Sequence, residues 1–257
     1  MLRSGKTFKS CLSSKIGAIV QARMGSERLP GKSLIDIGGK PLLVYIIENL
    51  KTSKYLSRVI LATTENDEDK ALLKLAETLK IDGFAGSESD VLNRYKDAAE
   101  AFDMETVVRV TGDNILTDVN GMDQTIDLYL KELPDLAANG GEQGYPLGTA
   151  VEVFSTCLLQ KFNKIVCSPE EREHVTLHVY RHSGKYRISY LKAPVGYRDL
   201  DIRLTIDTPE DLSLIRELYG KMKECKRDFK LPFIADYISK NPEIRKINSH
   251  IRQRCFG

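Results

Sequence analysis

The chain has 257 residues, 42% apolar and 29% charged, which suits one large α/β core and excludes a disordered polymer. A formal net charge of +2 supplies no global field for nucleic acid, so any attraction for anions has to be local. Five cysteines at wide spacings form no C-x-x-C pair, which predicts a reduced, cytoplasmic protein without zinc, and the apolar run behind the basic start is too short for a membrane span.

Residues 1–14, basic and Ser-rich, are expected to be a disordered tail, with residues 15–257 forming a single domain. "KIGAIVQ" predicts a first strand, "KPLLVYIIENLK" a helix packed on a sheet and "SRVILATT" a second strand. "ENDEDKALLKLAETLK" reads as a helix with acidic residues at the positive end of its dipole, and "DGFAG" as a short strand. "SESDVLNRYKDAAEAFD", "ETVVRVTGD" and "NGMDQTIDLYLKEL" continue as helix, strand and helix. Beyond "ANGGEQGYPLG" the rhythm loosens: "TAVEVF" is a strand, "STCLLQKFNKI" and "SPEEREHVTLHVYRH" helices, and "YRISYLKA" a strand, together a small inserted layer over about residues 140–195. "IRLTID" restores a strand, and "TPEDLSLIRELYGKMK" is a helix capped by Thr208, with Pro209 at its first position and Asp211 three residues past the cap. Strands alternating with helices require crossovers, so the fold class is α/β with an open, mostly parallel sheet.

In such sheets ligands bind beyond the carboxyl ends of the strands. The first strand ends in Gln21, Ala22, Arg23 and a basic, glycine-containing loop, the second in Thr63, Thr64 and Glu65, the third in Gly86 and Ser87, the fourth in Thr111, Gly112 and Asp113, and the late one in Asp207. Cations facing two carboxylates suit a phosphate chain with a divalent metal, because Mg²⁺ takes few protein carboxylates and completes its shell with phosphate oxygens. The loop lacks Walker A spacing. Asp113 also suits a turn cap, and Asp207 the start of the helix at Thr208. His174, His178 and His182 fall at steps of four, but Val175, Val179 and the alternating charges explain that helix structurally, and no metal is assigned there. "KMKECKRDFK" reads as a solvated helix end.

Taken in order, "QARMGSERLPGK", "GGKPLL", "ATTENDED", "GSESDVLNRY", "VVRVTGD", "EREHVT" and "TIDTPEDL" resemble the cytidylyltransferases related to CMP-Kdo synthetase, in the spore-coat polysaccharide biosynthesis branch, from about Lys15 to Tyr219. The resemblance implies a Rossmann-like sheet with helices on both faces and a Mg²⁺-dependent transfer of CMP from CTP to a sugar acid or related acidic acceptor, releasing pyrophosphate, in surface-polysaccharide biosynthesis. It implies that Arg23, Arg28 and Lys32 hold the phosphates, that Asp113 and Asp207 hold Mg²⁺, and that Arg23, Lys32 and Asp113 are catalytic. Gln21, Ala22, Thr63, Thr64, Ser87, Asp90, Arg109 and Thr111 complete the expected nucleotide site, and Glu152, Glu171 and Arg172 the acceptor site. A homodimer through residues 140–195 is implied by the same likeness; neither nucleic acid nor membrane is an expected partner. Leu147 and Ala150 stand where the family commonly carries carboxylates, and Asn114 and Ile115 where it often has Cys-Pro, which bears on the acceptor. The alternatives are a guanylyltransferase or nucleotide-sugar glycosyltransferase of the same fold, or a non-catalytic nucleotide-binding subunit.

Overall fold

The computed structural model describes residues 15–198 and 200–252; the expected tail at 1–14 lies outside the described residues. In chain order the strands are β1 (Ile16–Gln21), the two-residue β2 (Asp36–Ile37) and β3 (Lys40–Pro41), β4 (Arg58–Thr64), β5 (Asp82–Gly86), β6 (Thr106–Thr111), β7 (Leu136–Ala138), β8 (Glu152–Ser155) and β9 (Ile188–Tyr190). One seven-stranded sheet runs β5-β4-β1-β6-β8-β7-β9. Its first four strands are parallel, β8 is antiparallel to both β6 and β7, and β9 is parallel to β7. This is the expected Rossmann-like mixed sheet, and the region of about residues 140–195 adds β8 and β9 to it along with three helices.

Side-chain alternation divides the core in two. Ala18, Val20, Leu61, Val108 and Val110 face helices Leu42–Leu50, Val119–Glu132, Pro209–Glu224 and Leu231–Lys240. Ile19, Ile60, Val107 and Phe154 face helices Val91–Ala101 and Thr156–Ile165. Gln21, Arg109 and Glu152 share the second face, because Gln21 is two residues beyond Ile19 and the register pairs Arg109 with both Ile19 and Glu152. Among the described residues no helix is long and apolar enough to cross a membrane.

Three expectations change. Residues 202–207 are extended and mostly buried but form no strand of the sheet: Leu204 N donates to the Leu147 carbonyl (2.7 Å) and Ile206 N to the Asp113 carbonyl (3.1 Å). The backbones pass so closely that a Cβ on Gly148 (φ +94°) would lie 2.2 Å from Thr205 N, which only glycine permits. A buried extended crossover carries the same apolar alternation as a strand, hence the misreading. The stretch expected as one helix is two, Pro169–Glu173 and Leu177–Arg181, broken at His174 (φ −107°, ψ 71°) so that Val175 buries beside Val179 and Phe162. His174 therefore leaves the face of His178 and His182. Finally, β7 and helix Leu231–Lys240 were not among the expected elements. A three-residue strand is too short to alternate, whereas Leu231, Ile234, Ala235 and Ile238 do carry a helical spacing.

Candidate active site

The basic loop after β1 is tied down from beneath. Buried Asp69 accepts from Met24 N (2.7 Å), from Thr64 N (3.3 Å) and from the Thr64 hydroxyl, and Ser33 Oγ donates to the Arg23 carbonyl (3.0 Å). Beside it, the chain leaving β6 presses on β1: a Cβ on Gly112 would lie 2.7 Å from the Gln21 carbonyl oxygen. Glycine there lets the two strand ends, and so Asp113 and the loop, face one another.

Lys32 lies between the two carboxylates. Its Nζ is 3.2 Å from Asp113 Oδ2 and 2.7 Å from Asp207 Oδ1. Asp207 Oδ2 also meets Arg28 Nη2 (3.2 Å) and Arg203 Nη2 (2.5 Å), and Arg203 is steadied by Asp211 (3.0 Å). Capping of the following helix falls to Thr208 and Asp211, which form a full capping box, so the Asp207 carboxylate is left for cations. Burial alone would raise the Asp207 pKa, but Lys32, Arg28 and Arg203 outweigh it and hold the carboxyl below its usual value. Burial alone would lower Lys32, and Asp113 and Asp207 outweigh that, so the ammonium stays charged.

Two cavities meet at this point and share Arg109, Thr111, Asp113, His174 and Asp207. One, of about 490 Å³, is lined by Gln21, Ala22, Arg23, Arg28, Lys32 and Arg94. The other, of about 760 Å³, is lined by Asn114, Gln143, Tyr145, Leu147, Ala150 and Glu152. Glu152 pairs with Arg109 (2.7 Å) and accepts from Thr176 Oγ1 (2.9 Å) and Tyr180 Oη (2.6 Å), which fixes both side chains at the seam. Burial lowers the pKa of His174 and so favours the neutral imidazole.

Of the expected nucleotide residues, Gln21, Ala22, Arg23, Arg28, Lys32, Arg109 and Thr111 reach this cleft together with Asp113 and Asp207. Thr63, Thr64, Ser87 and Asp90 line neither cavity. Thr63 and Thr64 are both buried, Thr64 against the Asp69 that holds the loop; Ser87 Oγ accepts from Asp90 N (3.1 Å); Asp90 caps helix Val91–Ala101 and pairs with Arg172 (2.6 Å). Arg172 commits its other donors to the Val166 carbonyl and Asn163, and buried Glu171 pairs with His178 (2.7 Å), so of the expected acceptor residues only Glu152 lines either of these two cavities. Sequence reasoning missed Asp69, Arg94, His174 and Arg203. Arg94 left one trace, a charge set inside an apolar helix face.

A family model described as cytidylyltransferase matches residues 17–231. An uncharacterized protein, MJ1063 of Methanocaldococcus jannaschii, is 37% identical over 94% of this chain and 98% of its own length. The spore coat polysaccharide biosynthesis protein SpsF of Bacillus subtilis is 32% identical over 88% of this chain and 94% of its own. Among solved structures, a cytidylyltransferase from Leptospira borgpetersenii superposes with a TM-score of 0.83 at 32% identity, covering 95% of this chain and 99% of that one. CMP:2-keto-3-deoxy-manno-octonic acid synthetase, solved with CTP, shares the fold at a TM-score of 0.62 and 17% identity, over 80% of this chain and 99% of that one.

Proposed function

The chain belongs to the cytidylyltransferase family, and from that premise we propose that it transfers CMP from CTP to a small acidic acceptor, a sugar acid or close relative, releasing pyrophosphate with the help of Mg²⁺. The observation that carries this reading is the cation already held between Asp113 and Asp207 where the two cavities meet. Two carboxylates that converge on one positive charge are hard oxygen donors, and they fit a divalent magnesium ion. Held by these two residues, Mg²⁺ would offset negative charge building on the transferring phosphoryl group.

The chain's own residues supply the remainder. Arg28 and Lys32 stand beside Asp207, and Arg23 borders the same cavity, so all three are placed to bind the phosphate chain. The larger cavity takes the acceptor, with the apolar Leu147 and Ala150 in its wall. An acceptor oxygen entering from that side forms a bond to the α-phosphorus as the bond to pyrophosphate breaks; positioning and charge neutralisation dominate such transfers. We assign a homodimer through the region around residues 140–195 and action in surface-polysaccharide synthesis as parts of the same reading.

The test is pyrophosphate release with Mg²⁺, each of the four nucleoside triphosphates and a panel of charged and uncharged sugars. Release that needs CTP and an acidic acceptor supports the reading. Preference for GTP would make the chain a guanylyltransferase, and nucleotide binding without release under any pairing would make it a non-catalytic subunit. A monomeric mass at micromolar protein would overturn the dimer.

A further inference from the structure

Among the described residues two arginines are buried, and they are treated differently. Arg203, 7% exposed, is held by the carboxylates of Asp207 and Asp211. Arg94, 1% exposed, pairs with no carboxylate: its Nη1 donates to the Ser87 carbonyl (2.6 Å), and its Nε has no partner. Burial pulls its pKa down, yet a guanidinium remains charged in any protein. A buried, unpaired charge is among the costliest things a core can hold, and such groups persist where a ligand completes them.

The side chain is also fixed in place. Helix Val91–Ala101 is capped by Asp90, Asp90 is locked by Arg172, and the guanidinium is anchored on Ser87 at the end of β5. It lines the smaller cavity together with Gln21, whose Oε1 is likewise buried without a partner. Two unmet donors, Arg94 Nε and Arg109 Nε, and one unmet acceptor therefore border one cavity; Arg109 is already neutralised by Glu152 (2.7 Å), which leaves Arg94 as the guanidinium without a carboxylate.

The distance of Arg94 from the carboxylates says which part of a nucleotide it meets, with Gln21 lying between the two. Ser87 follows β5 and Asp113 follows β6, three strand spacings away in the sheet order, or roughly 14 Å. If the phosphate chain lies at Lys32, Arg28 and Asp113, the group reaching toward Arg94 is the base.

Resting on the CTP reading above, we infer that Arg94 and Gln21 form the base seat and set the choice of cytosine over uracil. Cytosine presents an amine and then two acceptors, ring N3 and O2, along one edge. The guanidinium fork is donor-only and suits the two adjacent acceptors, and Gln21 Oε1 accepts from the amine. Uracil carries an N–H at ring N3, which would face a second donor.

The experiment is calorimetric titration of CMP, CTP, UTP, GTP and inorganic triphosphate into the parent, Arg94→Met, Arg94→Lys and Gln21→Leu. We expect Arg94→Met to weaken CMP and CTP by the same factor, about 10- to 100-fold, as loss of hydrogen bonds to a charged group does. Triphosphate binding should be unchanged, and the preference for CTP over UTP should fall in all three variants. The unliganded Arg94→Met protein should melt no lower than the parent, because the substitution removes an unpaired charge. A lower melting point would make Arg94 a structural arginine and overturn the assignment, as would an equal loss for inorganic triphosphate. A parent that prefers GTP overturns the CTP reading and this assignment with it. A parent that prefers CTP while Arg94→Met keeps full CMP affinity overturns this assignment alone.

Discussion

Replacing Lys32 with glutamine should tighten metal binding while it abolishes turnover. Without nucleotide the Lys32 ammonium, only 16% exposed, sits between carboxylates that are 22% and 13% exposed, so an incoming divalent ion has to displace it. Hydrogen bonds to charged groups contribute about 1.5–3 kcal/mol each. Lys32 makes two, at 3.2 and 2.7 Å. The two bonds share one ammonium and are not additive, so the cost of displacing it is about 1.5–3 kcal/mol, or roughly 10- to 150-fold in affinity. Lys32→Gln should therefore bind Mn²⁺, used as a paramagnetic probe, that much more tightly in nucleotide-free protein, read from the free-ion resonance signal. Pyrophosphate release should fall by about 100-fold or more, because one phosphate-neutralising charge is gone. Arg28 and Arg203 still hold Asp207, so the fold should survive, which a melting curve checks. Unchanged or weaker Mn²⁺ binding would refute the idea that Lys32 and the metal compete for one place.

The other expectations concern charge and acceptor. Asp113→Asn and Asp207→Asn change little in volume, and each should lower pyrophosphate release by about 100-fold or more while circular dichroism stays native; normal turnover at saturating Mg²⁺ would remove the metal assignment. Because Asp207 titrates below its ordinary 3.8 in the folded protein, its stabilisation is complete above that value and is lost as pH falls through the folded pKa. A melting profile against pH should accordingly drop less steeply at its acid end in Asp207→Asn, and parallel profiles would contradict the pairing. Leu147→Asp and Ala150→Asp place negative charge in the wall of the larger cavity, so kcat/KM should fall selectively for an anionic acceptor; equal losses on charged and uncharged acceptors would show only damage to the loop. Arg23→Lys should weaken CTP binding in a calorimetric titration, since a point charge replaces a planar fork, and parental affinity would take Arg23 off the phosphates.

The centre of the site was legible because parallel topology dictates it. β1 and β6 pair in register, so Gln21 and Thr111 end together and the following residues, Arg23 to Lys32 and Asp113, must face each other. The rim was not legible in the same way. Thr63 and Thr64 also end a strand, but Asp69 folds back over Thr64, and burial of a strand end depends on what the next loop does. Asp90 and Arg172 are 82 residues apart, and their pairing, which removes both from the expected ligand contacts, leaves no signal in local spacing. Arg94 was hidden for the opposite reason: charge on an apolar helix face conflicts with local pattern, and such conflicts gather at binding sites.

The crossover near Gly148 also bears on how this enzyme could be redesigned. Residues 204–206 hang by backbone bonds from Leu147 in the wall of the larger cavity and from Asp113, and they lead directly into Asp207. The wall that would choose the acceptor and the carboxylates that would hold the metal are therefore parts of one braced frame. Transplanting a relative's loop in place of residues 146–150 would shift Asp207 as well as the pocket. New specificity is better sought in side chains that leave the Leu147 carbonyl and Gly148 untouched, and a grafted loop should lose turnover on every acceptor until that frame is rebuilt.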